Sequence, residues 1–206
     1  SHISKLYKSD RNQVLKDLNN IKKKRESIFN LSLLRPVIMG VLNITPDSFS
    51  DGGKFYQSKK AIEHAKKMVM QGAQIIDVGG ESTRPGAKLI PEEQECKRVI
   101  GIIQKIKNLK NSIVSIDTRK SMVMKKAVEA GAKIINDVSA LDFDPDSEEI
   151  VIKLKKPIIL NHSQGTPEIM QNNPSYRNVL IDIYDYFEEK IKRLEQKGLK
   201  KKTNYS

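Results

Sequence analysis

The chain has 206 residues and a formal net charge of +12, with 38% hydrophobic and 30% charged residues. This composition excludes a wholly disordered chain, and the length fits one domain with a sizeable core. The longest apolar stretch, residues 36–42, is far shorter than the roughly 20 residues that cross a bilayer, and the basic N-terminus lacks the apolar run of a signal peptide. The single cysteine, Cys96, excludes an intrachain disulfide and a cysteine-based metal cluster. We therefore expect a cytoplasmic protein without a membrane partner.

The N-terminal segment is basic and has the spacing of a helix. Residues 1–30 carry eight basic and three acidic side chains, and residues 197–206 carry four lysines and no acidic residue, so the rest is nearly neutral. Apolar residues recur at helical spacing and predict an amphipathic helix over residues 11–29, within an extension that covers residues 1–34. The basic run at residues 22–25 could bind nucleic acid. Because no aromatic residues interleave with these lysines, we interpret the run as a solvated helix face and expect no nucleic-acid partner.

From residue 36 onward, short apolar runs alternate with loops rich in Gly, Pro, Asp and Ser and with helical stretches. This rhythm is typical of β-loop-α units around a buried parallel sheet. Gly72 and Gly131 stand where a glycine would end a helix, and each precedes an apolar run. The predicted strands cover residues 37–42, 74–78, 112–116, 133–135 and 157–160, and the predicted helices cover residues 58–71, 92–108, 119–130, 146–154 and 178–197.

Polar residues follow every predicted strand. In parallel α/β folds ligands bind at this edge of the sheet, and in (β/α)₈ barrels they bind at the mouth lined by the βα loops. A single asparagine after a strand can also be a turn residue, but five strands with the same ending indicate a shared site. These residues are Asn43, Asp77, Asp117, Asn136 with Asp137, and Asn161 with His162.

Two loops carry longer motifs. Residues 40–53 read GVLNITPDSFSDGG, and residues 77–86 read DVGGESTRPG. Both motifs resemble the signatures of the dihydropteroate synthase family. Three further segments are similar in order and spacing to the next strand ends of that family: SIDTRK at 115–120, INDV at 135–138 and HSQGTP at 162–167. The resemblance covers residues 36–197.

The resemblance implies a TIM (β/α)₈-type barrel, of which this sequence contains about the first five β/α units. It also implies a transferase of folate biosynthesis that joins 7,8-dihydropterin-6-ylmethyl diphosphate to 4-aminobenzoate and releases diphosphate. The departing diphosphate builds negative charge on oxygen, which Mg²⁺ or cationic donors stabilise. We therefore expect Mg²⁺ as the cofactor. Positioning and charge stabilisation should dominate, without acid or base catalysis by His162.

The resemblance assigns catalytic roles to residues of the two loops. Asp47, Ser48 and Phe49 lie on the first loop, whose hydroxyl and backbone N–H groups could close over the departing group. Thr83 and Arg84 lie on the second loop, which by resemblance helps to form the aminobenzoate site and contacts the diphosphate. A planar guanidinium such as that of Arg84 suits both carboxylate and phosphate.

Three strand-end residues complete the implied site. Asn43 matches the position that contacts the metal and diphosphate in the family. Asp117 and Asn136 match the residues that read the edge of the pterin ring, where a carboxylate and a carboxamide can form paired hydrogen bonds. From the residues alone, Asp117 is equally well explained as the N-cap of the helix that follows it.

The sequence departs from the family in two places. It lacks the last three β/α units of the barrel, and with them an Asp-Pro-Gly segment, a Ser-Arg-Lys segment and a terminal Arg-x-His pair, so we expect impaired activity. The homodimer of the family forms through a surface in those units. The alternative is a non-catalytic pterin-binding or interaction fragment, completed by a second polypeptide. Asn161 and Ser163 stand where the family usually has methionine, and polar groups there weaken apolar packing unless they are paired.

Overall fold

The N-terminal part of the chain forms a compact unit of its own, within residues 1–36. It contains helix α1 (Lys8–Lys22) and two short antiparallel strands, β1 (Ser27–Ile28) and β2 (Leu31–Ser32). The predicted helix over residues 11–29 is therefore wrong beyond Lys22. A longer helix would place basic side chains of residues 22–25 beside one another at i,i+3, which destabilises a helix. The assignment of residues 1–34 as an extension stays a prediction. The computed structural model describes residues 8–23, 27–28, 31–44, 54–82, 89–165 and 174–199.

The second unit lies within residues 37–203 and is built on a five-stranded parallel sheet. Its strands are β3 (Met39–Asn43), β4 (Ile75–Gly79), β5 (Ile113–Asp117), β6 (Ile134–Asp137) and β7 (Ile158–Leu160). Its helices are α2 (Lys54–Met70), α3 (Glu92–Ile106), α4 (Ser121–Ala130), α5 (Ser147–Leu154) and α6 (Val179–Gln196). The strands lie in the order β3-β4-β5-β6-β7, so neighbours in the sheet are neighbours in the chain. This order is that of a (β/α)₈-type barrel and confirms the predicted α/β class with five β/α units.

The predicted element boundaries differ from the observed ones at the strand ends. Asn43 and Asp117 are the last residues of β3 and β5, not the first residues of loops, because the parallel ladder continues through them. The predicted glycine ends of two helices are confirmed. Gly72 and Gly131 have φ values of 105° and 131°, a backbone conformation that residues with a side chain rarely adopt.

One face of the sheet packs against the helices and holds the hydrophobic core. Alternate strand residues point into this core, where they meet apolar side chains of α2 to α6. At Gly40 the strand and α2 approach so closely that a Cβ would lie 2.8 Å from Met68 Sδ. The remaining residues of each strand lie on the opposite face. No helix of the described residues is long and apolar enough to span a membrane. The strand residues of the core are Leu42, Ile76, Val78, Val114, Ile116 and Ile135.

Candidate functional site

The face of the sheet opposite the helices carries a row of polar residues at its C-terminal edge. In the parallel register Asn43 pairs with Gly79, Gly79 with Asp117, and Asp117 with Asn136. Residues paired in this way share a face, and adjacent strands are about 4.8 Å apart. We call these four residues the strand-end row. The structure thus brings together the predicted site residues Asn43, Asp117 and Asn136.

Gly79 leaves an opening in the strand-end row. A Cβ at this position would lie 3.1 Å from Asn43 Oδ1 and 3.5 Å from Asp117 Oδ2, so two oxygen atoms approach one point above the glycine. Amide and carboxylate oxygens are suitable ligands for Mg²⁺, which takes one or two protein ligands and keeps several waters. The donor set therefore fits the expected cation, and Mg²⁺ itself stays a prediction. Among the described residues, no group of three or more His, Cys, Asp and Glu side chains could hold a metal ion.

Asp117 lies in an acidic environment. Burial, together with the negative charges of Asp77, Glu95 and Asp137, raises the pKa of its carboxyl group to about 7, whereas Arg119 opposes the shift. A carboxyl group with this pKa is partly protonated at neutral pH. It can therefore accept a hydrogen bond in one state and donate one in the other.

The structure settles the alternative explanation of Asp117. Helix α4 begins at Ser121, and its N-cap position is occupied by Lys120. Asp117 belongs to β5 and does not cap this helix. Its side chain is consequently available at the strand-end row.

The amide group of Asn136 is held from two sides. Its Nδ2 donates a hydrogen bond to Asp77 Oδ2 at 2.9 Å, and its Oδ1 accepts one from Asn161 Nδ2 at 3.1 Å. Asn161 Nδ2 also donates to the backbone oxygen of Asp137 at 3.2 Å. Burial raises the pKa of Asp77, while Ser115 and Asn136 act in the opposite direction.

Asp137, the neighbour of Asn136, serves the loop and not the strand-end row. Its Oδ1 accepts hydrogen bonds from the backbone nitrogen and the hydroxyl of Ser139, both at 2.7 Å, and its Oδ2 accepts one from Leu141 N at 3.0 Å. These bonds support Ala140 and Leu141 at φ values of 50° and 70°, which cost energy for residues other than glycine. Asp137 therefore organises the turn after β6.

A buried cluster of opposite charges lies beside the second loop. Glu81 accepts hydrogen bonds from Arg119 Nη2 and Lys120 Nζ, both at 2.7 Å, and Lys120 Nζ also contacts Glu95 Oε2 at 2.6 Å. We call these four residues the ion-pair cluster. Burial acts to raise the pKa of Glu81, but the hydrogen bonds from Lys120 and Arg119 outweigh it and hold this pKa below its usual value. Glu81 Oε2 accepts a further bond from Ile90 N at 3.0 Å.

The last of these bonds joins the two residues that flank the second loop in the sequence. Glu81 and Ile90 lie on either side of residues 83–88 in the sequence, and their hydrogen bond joins the two flanks. Thr83 and Arg84 themselves lie outside the described residues, as do Asp47, Ser48 and Phe49 of the first loop. The roles of these five residues stay predictions.

His162 packs among aromatic rings. Its ring centroid lies 4.8 Å from that of Tyr186, 5.9 Å from that of Tyr176 and 6.4 Å from that of Phe187. The polar residues that flank it are both paired, Asn161 as described above and Ser163 through its hydroxyl to the Gly165 oxygen at 3.3 Å. The packing penalty expected for these positions is therefore offset by hydrogen bonds.

Several residues of this region have contacts that no sequence motif indicates. Asp77 and Asn161 are predicted only as polar residues at strand ends. The alternation of side chains along a strand indicates in addition that they lie on the same face as Asn136. Asp77 precedes Gly79 by two positions and Asn161 follows Ile159 by two, and Ile159 pairs with Asn136, so all share one face. The pairing of Glu81 with Lys120 had no such signal, because the two residues are far apart in the sequence.

Comparisons with known proteins identify the family of the chain. The family described as Pterin binding enzyme matches residues 39–203. Dihydropteroate synthase of Haemophilus influenzae is 41% identical over 84% of the chain, and that of Escherichia coli K12 is 44% identical over 84%. Dihydropteroate synthase of Xanthomonas albilineans, solved with 4-aminobenzoic acid, is 40% identical over 82% of the chain with a TM-score of 0.74. Another structure of that protein contains 7,8-dihydropteroate.

The comparisons also fix how much of these proteins the chain represents. It covers 62% of the Haemophilus influenzae protein, 61% of the Escherichia coli protein and 60% of the Xanthomonas albilineans structure. The chain thus spans about three fifths of the length of the relatives that it matches. With a family match over most of its residues and its strand-end row in register, the chain belongs to the pterin-binding enzyme family.

Proposed function

We propose that this protein acts as a dihydropteroate synthase, which joins 7,8-dihydropterin-6-ylmethyl diphosphate to 4-aminobenzoate and releases diphosphate. The observation that carries the proposal is the strand-end row, which presents Asn43, Asp117 and Asn136 on one edge of the sheet in a chain of the pterin-binding family. The ligands of the Xanthomonas albilineans protein support these substrates. The predicted cytoplasmic location remains part of the proposal.

Asp117 and Asn136 bind the pterin in this proposal. A pterin edge combines N–H donors with a ring-nitrogen acceptor, so it requires both a carboxylate and a carboxamide placed side by side. Asp117 and Asn136 are adjacent in the register, which is the spacing that one ring edge can bridge. The burial of Asp117 strengthens its hydrogen bonds, because water competes less for them.

The diphosphate lies toward Asn43 and the two loops in this proposal. Asn43 Oδ1 would be one ligand of Mg²⁺, which supplies positive charge against the departing oxygen when it is bound. Ser48 and Arg84 add hydrogen-bond donors to the same group, with Asp47, Phe49 and Thr83 shaping the loops that carry them. These donors stabilise the charge that develops on the leaving group.

The reaction replaces one bond at the methylene carbon of the pterin. The carbon–oxygen bond to diphosphate breaks, and its electron pair leaves with the diphosphate. The amine nitrogen of 4-aminobenzoate donates its lone pair to form the new carbon–nitrogen bond, and its surplus proton passes to solvent. The chain contributes by holding both reactants in line and by excluding other nucleophiles.

A second candidate function is pterin binding without catalysis. Within the described residues, β3 and β7 are the outer strands of the sheet, and Val41 on the polar face of β3 is 57% exposed. An open sheet of this kind retains the pterin-reading pair Asp117 and Asn136. It encloses the reactants less completely than a closed barrel does.

The first test is thermal unfolding of the chain, alone and with the pterin diphosphate plus Mg²⁺. A ligand at about 100 times its Kd stabilises the folded state by about 2.7 kcal/mol, so we expect a clear rise in Tm. Formation of dihydropteroate on addition of 4-aminobenzoate then separates the enzyme from the binding protein. An unchanged Tm at saturating ligand would contradict both candidates.

Two asparagine variants make this test specific. Asn136→Ala removes a residue of the strand-end row, and we expect it to abolish most of the ligand-induced rise. Asn108→Ala alters an exposed residue that follows α3, at the other end of the sheet from the site. This control should keep the full rise in Tm.

A further inference from the structure

The amide of Asn136 can be placed in two orientations that differ by a half-turn about its last side-chain bond. The orientation decides whether the nitrogen or the oxygen faces Asp77. In the structure Nδ2 faces Asp77 Oδ2 at 2.9 Å and Oδ1 faces Asn161 Nδ2 at 3.1 Å. An amide that was free to turn would present its donor and its acceptor interchangeably to a ligand.

The surroundings allow only the observed orientation. In the other one, Asn136 Oδ1 would face the carboxylate of Asp77, which is an acceptor, and Nδ2 would face the Nδ2 of Asn161, which is a donor. Both contacts would then lose their hydrogen bond, and unpaired polar groups in a buried site are costly. Asp77 is only 4% exposed, so water cannot easily take over.

The amide orientation of Asn161 is fixed in the same way, by the acceptors that its nitrogen faces. Its Nδ2 donates to the backbone oxygen of Asp137 at 3.2 Å as well as to Asn136 Oδ1. A backbone carbonyl can only accept, so Asn161 must direct its nitrogen toward it. The two N–H groups of this amide thus have two acceptors, which fixes the orientation of the amide.

We propose that Asp77 and Asn161 are positioning residues that fix the amide orientation of Asn136 and thereby set the preference of the site for pterins. The inference rests on the proposed function, since it assigns the remaining N–H and lone pair of Asn136 to the ring edge. In this proposal both residues act through the amide of Asn136. Together they make the order of donor and acceptor at the edge a property of the fold.

Pterin and lumazine are the two ligands that distinguish the order of donor and acceptor on Asn136. Lumazine carries an oxygen where pterin carries the 2-amino group, so an acceptor replaces a donor at the recognised edge. Because shape is nearly unchanged, the ratio of the two affinities reports hydrogen-bond order and not the general integrity of the site. We therefore measure Kd for 6-hydroxymethylpterin and 6-hydroxymethyllumazine by titration of their fluorescence.

The expected result is a pterin preference in the unchanged chain that falls by about 10-fold or more in Asn161→Ala and in Asp77→Ala, each of which removes one partner of the Asn136 amide. Asn178→Ala is the matched control, because Asn178 caps α6 by accepting from Leu180 N and Ile181 N. This control lowers Tm without contact to the strand-end row and should leave the ratio unchanged. Equal ratios in the unchanged chain and in both site variants would overturn the proposal.

A double variant tests the direction of the effect. Asp77→Asn combined with Asn161→Asp keeps the total charge and exchanges donor and acceptor on the two sides of Asn136. We expect its preference to move further toward lumazine than that of either single variant. A double variant that returns to the original pterin preference would contradict the proposed orientation mechanism. Circular dichroism establishes that the variant is folded, and Asn161→Ala decides the question if it is not.

A measurement without ligand separates this inference from the proposed function. In ¹⁵N-labelled protein, the side-chain N–H signals of Asn136, identified by their loss in Asn136→Ala, should exchange slowly with solvent and faster after Asn161→Ala. Equally fast exchange in both chains would refute the fixed amide. If neither pteridine binds while exchange is slow, the proposed function fails and the fixed orientation stands.

Discussion

Two polar clusters lie near neighbouring strand ends, the buried ion-pair cluster and the more exposed strand-end row, and their charges are arranged in opposite ways. The ion-pair cluster alternates acid and base, with Lys120 between Glu81 and Glu95 and Arg119 on the far side of Glu81. Around the strand-end row, Asp117 lies near the carboxyl groups of Asp77, Glu95 and Asp137. Arg119 is the cation that opposes their repulsion among the described residues. The pKa of Glu81 is lowered in the first case, and that of Asp117 is raised to about 7 in the second.

The difference lies in the partners of the carboxyl groups: those of the ion-pair cluster contact a cation, and that of Asp117 does not. Each carboxylate of the ion-pair cluster has a cation within hydrogen-bond distance, although Glu95 Oε1 and Arg119 Nε have no hydrogen-bond partner among the described residues. The bond between Glu81 and Ile90 joins the flanks of the second loop. Asp117 is half-buried among acids without such a partner among the described residues. A ligand edge rich in N–H donors would donate hydrogen bonds to the Asp117 carboxyl group and offset the repulsion from its acidic neighbours. Groups with strongly shifted pKa values are often found at functional sites.

Removal of the shared cation should produce the largest effect on stability. Lys120→Met leaves Glu81 and Glu95 buried without their common partner, and breaking a buried ion pair costs about 3–5 kcal/mol. We expect the free energy of unfolding in urea to fall by this amount. The measurement is a urea titration followed by circular dichroism.

The control is a lysine–glutamate ion pair on the surface. Lys153 bonds to Glu149 four residues earlier on α5, and both side chains are 65% exposed. Such a pair contributes about 0.3–0.5 kcal/mol, so Lys153→Met should change little. Equal losses in the two variants would mean that the ion-pair cluster is not a special feature of the fold.

Closing the opening in the strand-end row should affect binding more than stability. Gly79→Ala places a methyl group 3.1 Å from Asn43 Oδ1, where we propose that ligand and metal oxygens gather. We expect the affinity for the pterin diphosphate to fall at least about 10-fold, measured by calorimetry. The free energy of unfolding should change by less than about 1 kcal/mol, since the strand backbone accepts alanine. Unchanged affinity would place the diphosphate elsewhere.

The raised pKa of Asp117 predicts a pH dependence of stability that differs from that of an ordinary carboxyl group. Between about pH 4, near the usual pKa of an aspartate, and pH 7, folded Asp117 holds a proton that the unfolded chain has released. The folded state therefore loses stability as the pH rises through this window. Asp117→Asn removes this contribution, so its Tm should exceed that of the unchanged chain at pH 8 and approach it at pH 4.

Asp144 gives a control of opposite sign. Its carboxylate accepts from Ser121 N at 2.7 Å and from Asp146 N at 2.9 Å, and these bonds outweigh burial and lower its pKa. Stability from Asp144 is present above the usual pKa and is lost as the pH falls. Asp144→Asn should therefore lower Tm at pH 8, with a smaller effect at acid pH. The same sign in both variants would contradict the assigned environments.

The fold and half of the site could be predicted because they depend on local patterns. Apolar runs and glycine ends located five strands and five helices, and the polar ending of each strand located Asn43, Asp117 and Asn136. The predicted helix over residues 11–29 is wrong only beyond Lys22, because apolar spacing alone ignores the repulsion in the basic run that begins there. The ion-pair cluster could not be predicted, since it joins residues that only the fold brings together. Strand alternation places Asp77, Asn136 and Asn161 on one face, but the sequence does not show which of them form hydrogen bonds.

The central claim is that the strand-end row binds a pterin, and residue-resolved NMR tests it most directly. Titration of ¹⁵N-labelled chain with 6-hydroxymethylpterin should give saturable shifts that are largest at Asn43, Gly79, Asp117 and Asn136. Asn136→Ala should weaken them throughout the row. Saturable shifts confined to other parts of the chain, or none at all at millimolar ligand, would contradict the account.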